Sequence, residues 1–178
     1  MKDRIFTSAI IVAAGKGRRM GTQISKQFIK LGEKEILAHT VDRFEKFSAI
    51  EEIILVTGKD SIDDVCAMVT EYHWEKVKAV VIGGKERQDS VKCGLDAISN
   101  KAEIVFIHDG VRPFVTEQMI QASMEGVVDF GGCVVGMPVK DTIKVCDKNA
   151  VVIQTPDRSG LWQIQTPQTF RRDLIDQA

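Results

Sequence analysis

Ile10-Ile11-Val12-Ala13-Ala14-Gly15-Lys16-Gly17-Arg18-Arg19-Met20-Gly21, followed by Ser25-Lys26-Gln27-Phe28, runs from an apolar strand into a loop of glycines and cations. Gly15, Gly17 and Gly21 alternate there with Lys16, Arg18, Arg19 and Lys26, and no acid falls between Gly15 and Lys26. Glycine lets the backbone bend sharply, and backbone N–H groups beside concentrated positive charge are what polyphosphate binding needs. The alternative is a tight strand-to-helix turn with solvated cations, and the lack of neutralising acids weighs against it. Gly15-Lys16-Gly17 begins like a dinucleotide fingerprint, but Met20 holds the third glycine position, which that fold uses for close helix–strand packing. A P-loop would end in Gly-Lys-Ser or Gly-Lys-Thr, and neither occurs here.

Outward from this loop the chain alternates short apolar runs with amphipathic stretches. Ser8 to Val12 reads as a strand, and Ile36, Leu37, Val41, Phe44 and Phe47 then follow helical spacing. Ile53 to Val56 is a second strand, followed by a helical face of Ile62, Val65, Val69 and Tyr72. Val77 to Ile82 is a third, followed by Val91, Leu95 and Ile98. Ile104 to Ile107 is a fourth, followed by Met119, Ile120 and Val127, and Gly132 to Gly136 begins another strand. Continuous apolar strands alternating with helices imply an α/β fold with a mostly parallel sheet covered on both faces. Ligands of such sheets bind beyond the carboxyl ends of the strands at a switch point. Three polar clusters belong at that edge: Gly15 to Lys26, Gly83 to Ser90 and His108 to Pro113. From Lys140 the pattern changes. Asp141 to Cys146 and Ala150 to Gln154 read as a hairpin around Asp147-Lys148-Asn149, which needs something to pack on, such as a second subunit.

The 178 residues suffice for one domain, and 44% hydrophobic with 28% charged residues is ordinary for a globular protein. With 24 cations against 25 acids the net charge is −1, so any anion site is a local concentration of cations, and neither nucleic acid nor a membrane surface is an expected partner. Cys66, Cys93, Cys133 and Cys146 form no C-x-x-C pair and no ligand spacing with the histidines, so they read as reduced, mostly buried thiols of a cytoplasmic protein. The apolar run after Met1-Lys2-Asp3-Arg4 is too short for a membrane span and reads as no signal peptide.

Gly83-Gly84-Lys85-Glu86-Arg87-Gln88-Asp89-Ser90 ends a strand and starts a helix, with Asp89 or Ser90 as its cap. The functional reading is a helix N-terminus facing an anion with Arg87 beside it. Asp109, at the end of a buried strand, is the best candidate for a divalent cation, because Mg²⁺ on phosphates needs only one or two carboxylates. The alternative is an Asp109–Arg112 ion pair. His108 reads as a packed or hydrogen-bonded histidine, and Trp162, Phe114 and Phe170 as core rather than a base-stacking platform. No nucleophile–histidine pair stands out, so covalent catalysis is not expected.

Five segments together resemble the 2-C-methyl-D-erythritol 4-phosphate cytidylyltransferase family. They are Ala13-Ala14-Gly15-x-Gly17-x-Arg19-Met20-Gly21 with Lys26-Gln27-Phe28; Gly83-Gly84 with Arg87-x-x-Ser90-Val91; His108-Asp109-Gly110 with Arg112-Pro113-Phe114; Pro138 to Thr142; and Asp157-Arg158 with Leu161-Trp162 and Gln165 to Gln168. The resemblance covers essentially the whole chain. It implies a Rossmann-like three-layer α/β fold in one domain over residues 1–178, with a protruding β-arm at about 140–158 that reaches across a homodimer. It also implies transfer of a cytidylyl group from CTP to a sugar-alcohol phosphate, with Mg²⁺ and release of pyrophosphate, in non-mevalonate isoprenoid precursor synthesis. By the same resemblance Arg19 and Lys26 stabilise the transition state. Backbone of Ala13, Ala14, Gly15, Lys16 and Gly17 cradles the triphosphate. Gly84 and Ser90 contact the cytosine, with Arg87 in the nucleotide site. Asp109 contacts metal or substrate, and Arg112, Thr142 and Arg158 bind the sugar phosphate. The position before Lys26, commonly proline in the family, is Ser25 here. Family members usually continue for several dozen residues beyond the position of Ala178, and these supply a further strand, a helix and a second substrate-facing lysine. The C-terminal part of the family domain is therefore expected to be missing. A ribitol-5-phosphate cytidylyltransferase of the same superfamily, or a nucleotide-binding fragment without turnover, are the other readings. Ala13-Ala14-Gly15 and Asp109-Gly110 lean towards the isoprenoid enzyme.

Overall fold

The computed structural model describes residues 5–15 and 25–177, and these form ten strands and five α-helices. Strand β1 (Thr7–Ala13) leads to a single-turn 3-10 helix (Lys26–Phe28) and a small hairpin of β2 (Lys30–Leu31) and β3 (Lys34–Glu35). Then come α1 (Ile36–Lys46), β4 (Glu52–Thr57), α2 (Ile62–Glu71), β5 (Val77–Ile82), α3 (Arg87–Ala97), β6 (Ile104–Asp109), α4 (Glu117–Phe130) and β7 (Gly132–Pro138). The chain finishes with β8 (Val145–Cys146), β9 (Val152–Gln154), β10 (Trp162–Arg171) and α5 (Arg172–Ile175).

The main sheet has six strands in the order β5-β4-β1-β6-β10-β7. β1 pairs in parallel with β4 on one edge and β6 on the other, and β4 pairs in parallel with β5. β10 runs antiparallel to both β6 and β7. The side chains of β1 alternate between two cores, as a pleated strand requires. Ala9, Ile11 and Ala13 join Leu37, Val41 and Phe44 of α1 and Ile120 and Val127 of α4 on one face. Ile10 joins Val91 and Leu95 of α3 on the other. The result is the expected three-layer fold.

β10 has no counterpart in the apolar-run reading. Thr166 and Pro167 sit where its pairing with β7 breaks between Ile164 and Gln168, and a strand tolerates proline at such an irregularity. The hairpin from Lys140 is present but its paired strands are shorter than expected, Val145–Cys146 with Val152–Gln154. Two expectations about the core fail. Phe114 and Trp162 are 78% and 57% exposed, while Phe170 packs partly against the α3-side core. The four cysteines are free as expected but not buried, Cys66 and Cys146 being exposed and Cys93 and Cys133 intermediate.

Close helix–strand packing comes from Gly94 in α3. A Cβ there would lie 2.4 Å from Ile10 Cγ2 and 3.2 Å from Val56 Cγ2. On an exposed helix Gly→Ala stabilises by about 1 kcal/mol, but here the added methyl must push a β-branched core side chain away, which costs about 1–3 kcal/mol. Gly94→Ala is expected to lower the melting temperature, measured by calorimetry; a rise would show that the α3 layer is looser than the structure indicates.

Candidate active site

At the carboxyl ends of β1 and β6 the strand order reverses, and three loops meet at a cleft of about 290 Å³. Val12 is paired with Asp109, and Gly110 N–H donates to Val12 O at 2.8 Å. The end of β6 is therefore fastened beside the residues that open the first loop. Ala13, Ala14 and Gly15 line the cleft with Lys26. A Cβ on Gly15 would meet nothing within 4 Å, so its backbone is open to close approach. Lys16, Gly17 and Arg19 lie outside the described residues.

The second wall is the turn into α3. Gly83 N–H donates to Thr57 O at 2.8 Å, and a Cβ on Gly83 would come within 2.7 Å of Ala14 Cβ. This contact holds the β5–α3 turn against the first loop. Gly84, Arg87 and Ser90 all line the cleft. The expected cap of α3 is displaced: the N-cap is Glu86, whose N–H donates to Asp89 Oδ2 at 2.9 Å. Asp89 thus acts from inside the first turn. Ser90 is buried and its hydroxyl donates to Glu86 O at 3.1 Å.

Asp109 is the electrostatic centre of the cleft. Arg87 Nε donates to Asp109 Oδ1 at 3.1 Å and Arg112 Nε to Oδ2 at 3.0 Å. The Asp109–Arg112 pair is thus real and is joined by a second arginine from another element. Arg112 Nη1 also donates to Gln165 Oε1, and Asp109 N–H donates to Thr166 Oγ1 at 3.2 Å. Gln165 and Thr166 enter because β10 lies beside β6; the quoted motif contained them, but no sequence pattern read from the residues assigned them a contact. Gln27 was missed in the same way: it lines the cleft and its Nε2 donates to Ala13 O at 2.8 Å.

His108 is a packed histidine, as expected. It is fully buried, 5.0 Å centroid to centroid from Phe44, with Nε2 3.0 Å from Arg112 O. A carbonyl only accepts, so Nε2 carries the proton, while Nδ1 is buried without a partner. Burial pushes the imidazole down from 6.5 to about 4, outweighing the bond to Arg112. The ring is neutral at pH 7 and ties down the loop that carries Arg112. Thr142 and Arg158 do not line the cleft. They lie on the arm, where Arg158 Nη1 donates to Lys140 O at 2.6 Å and joins its two legs. Among the described residues no group of three or more His, Cys, Asp or Glu could hold a metal ion.

Comparison with known proteins gives one consistent result. The sequence model of the family described as 2-C-methyl-D-erythritol 4-phosphate cytidylyltransferase matches residues 7–178. Relatives of that name from Alkaliphilus oremlandii and Alkaliphilus metalliredigens are 49% and 45% identical to this chain, across 100% and 96% of it and 76% and 71% of their own lengths. Among solved structures, the 4-diphosphocytidyl-2C-methyl-D-erythritol synthase from Anaerococcus prevotii superposes with a TM-score of 0.84 at 34% identity, over 97% of this chain and 74% of that one. The 2-C-methyl-D-erythritol 4-phosphate cytidylyltransferase from Francisella tularensis gives 0.77 at 27% identity, over 97% and 75%.

The His108 environment fixes a pH dependence. Its folded pKa lies below its unfolded one, so between about 6.5 and about 4 the unfolded chain binds the extra proton. Stability is therefore lost as pH falls through that window, by about 3 kcal/mol at its acid end. Urea unfolding at pH 7 and pH 4.5 should show this loss in the natural chain and a smaller one in His108→Gln. Equal losses in both would contradict the assignment.

Proposed function

We propose a reaction for a chain that belongs to the 2-C-methyl-D-erythritol 4-phosphate cytidylyltransferase family. It is a nucleotidyltransferase that joins CTP and 2-C-methyl-D-erythritol 4-phosphate, giving CDP-methylerythritol and pyrophosphate, in isoprenoid precursor synthesis. The observation that carries the reading is the meeting of Ala13–Gly15, Lys26, Arg87 and Asp109 in one cleft at the switch point of the sheet. The relatives quoted above are named for methylerythritol phosphate, which disfavours ribitol phosphate.

The chemistry fits a site without a nucleophile–base pair. A phosphate monoester has a second pKa of about 6 and is mostly dianionic at neutral pH. One of its oxygens attacks the α-phosphorus of CTP. The P–O bond forms as the bond from the α-phosphorus to the bridging oxygen of the β-phosphate breaks, and pyrophosphate leaves. The protein must place the two phosphates in line and offset their charge. We assign that charge work to Lys26 and Arg19. The backbone of Ala13 to Gly17, including Lys16, with Arg87, holds the triphosphate, and Gly84 and Ser90 face the base. Arg112, Thr142 and Arg158 are assigned to the sugar phosphate.

Asp109 suits Mg²⁺ held jointly with the triphosphate. Its two oxygens take one arginine N–H each, and a carboxylate has about four lone-pair sites; phosphates supply the remaining ligands. When bound, the ion would neutralise phosphate charge. We further propose that a second copy covers the arm, because Val151, Val152 and Ile153 are 59%, 53% and 65% exposed there. The reaction is assigned to the cytoplasm, which suits four free cysteines. Among the described residues no helix is long and apolar enough to cross a membrane.

With CTP and Mg²⁺, pyrophosphate should be released only when methylerythritol phosphate is added; equal or faster release with ribitol phosphate would overturn the substrate assignment. Lys26→Ala should lower kcat by about 10²–10³-fold, the size of loss seen when an oxyanion-stabilising group is removed. CTP affinity should change far less. Loss of CTP binding with unchanged kcat would reject the role given to Lys26.

A further inference from the structure

We propose that Gln27 is a positioning residue that sets Lys26 at the reacting phosphate. The inference rests on the cytidylyltransferase reading of the cleft. Lys26 opens the single-turn helix Lys26–Phe28, which is closed by Phe28 N–H to Ser25 O at 2.9 Å and Ile29 N–H to Lys26 O at 3.2 Å. Both of those bonds lie within the turn and do not reach the sheet. Gln27 supplies a tether to it. Its side chain is 4% exposed, and its Nε2 donates to the carbonyl of Ala13, the last residue of β1. Both Gln27 and Lys26 line the cleft. One buried amide therefore fixes the residue beside Lys26 to the strand end from which the first loop departs.

Among the described residues, a further set of bonds acts on the other side of the turn and reaches other elements. His39 Nε2 bonds Leu31 O at 2.7 Å. Lys34 pairs with Asp42 at 2.7 Å, and Tyr72 donates to Glu35 at 2.7 Å. These bonds fasten the β2–β3 hairpin to α1 and to the end of α2. They fix where the chain goes after Ile29, not how far Lys26 stands from β1. Phe28, partly buried against the larger core, limits rotation of the turn. Losing the Gln27 donor would take this buried bond from the Ala13 carbonyl and free the turn to shift. Misplacing a reacting group by about 1 Å can cost about 10²-fold in rate.

The test is a double-mutant cycle on pyrophosphate release with CTP and methylerythritol phosphate, using the natural chain, Gln27→Met, Lys26→Ala and the double variant, with CTP affinity by calorimetry. Methionine keeps the volume and removes the donor. Gln27→Met should lower kcat about 10–100-fold while CTP affinity stays within a few fold. In the Lys26→Ala background the same change should cost little more, because the group it positions is gone. Unchanged kcat in Gln27→Met, or losses that multiply in the double variant, would overturn the proposal. If Gln27→Met does not fold, Gln27→Glu at pH 8.5 replaces it in the same cycle, since an ionised carboxylate cannot donate. A natural chain that releases no pyrophosphate with both substrates would sink the reading of the cleft, and this proposal with it. An active natural chain with an unaffected Gln27→Met sinks this proposal alone.

Discussion

Strand β1 is hydrogen-bonded along both edges by parallel partners, and the rest of the molecule follows from that constraint. Its register sets Ala13 opposite Thr57 on one side and Val12 opposite Asp109 on the other. Three connecting loops must therefore emerge at one edge of the sheet. Parallel strands need crossover connections, and the crossovers from β1 and β6 leave in opposite directions. A crevice opens where they part. Helix α3 closes one wall of it, and Gly94 lets that helix lie directly on Ile10 of the same strand. The strand that builds the core also presents the loop.

Charge in the crevice is arranged economically. Asp109 is bonded by Arg87 from α3 and Arg112 from its own loop, with 46% and 42% of those arginine side chains exposed. Ion pairs this exposed contribute about 0–1 kcal/mol each. Either guanidinium can therefore leave Asp109 at little cost. Rigidity comes instead from uncharged contacts beneath them: neutral His108 on the Arg112 carbonyl, Thr40 Oγ1 donating to Gly110 O at 2.9 Å, and Gln27 on Ala13. Buried neutral bonds hold the backbone, and the ionic ones lie exposed above them.

The parallel strands and helices were legible because β-strand runs such as Glu52–Thr57 are buried throughout and helices such as α1 bury one stripe. The polar clusters at the strand ends gave away most of the cleft. What stayed hidden depends on contacts between distant segments. β10 carries proline and three glutamines and gains burial only from Gln165 onward, so it lacks the apolar run by which the other strands are read. Its insertion beside β6 is what brings Gln165 to Arg112. The exposure of Phe114 and Trp162 was equally invisible, since hydrophobicity does not say which apolar residues stay at the surface. The cap at Glu86 escaped because Asp89 and Ser90 are the stronger capping types, and only the path of the chain from Gly84 sets where the helix starts.

Positioning and charge compensation are the whole of the chemistry in this account. Ser90 lines the cleft, but its hydroxyl donates to the Glu86 carbonyl. His108 is buried on a backbone carbonyl. Neither is set up as a nucleophile or its base. The most direct test is the stereochemical course at the α-phosphorus, followed by ³¹P NMR with a CTP analogue bearing a chiral α-phosphorothioate. A single in-line displacement by the sugar phosphate predicts inversion. Retention would mean that a group on the protein is cytidylylated first, and would contradict the account.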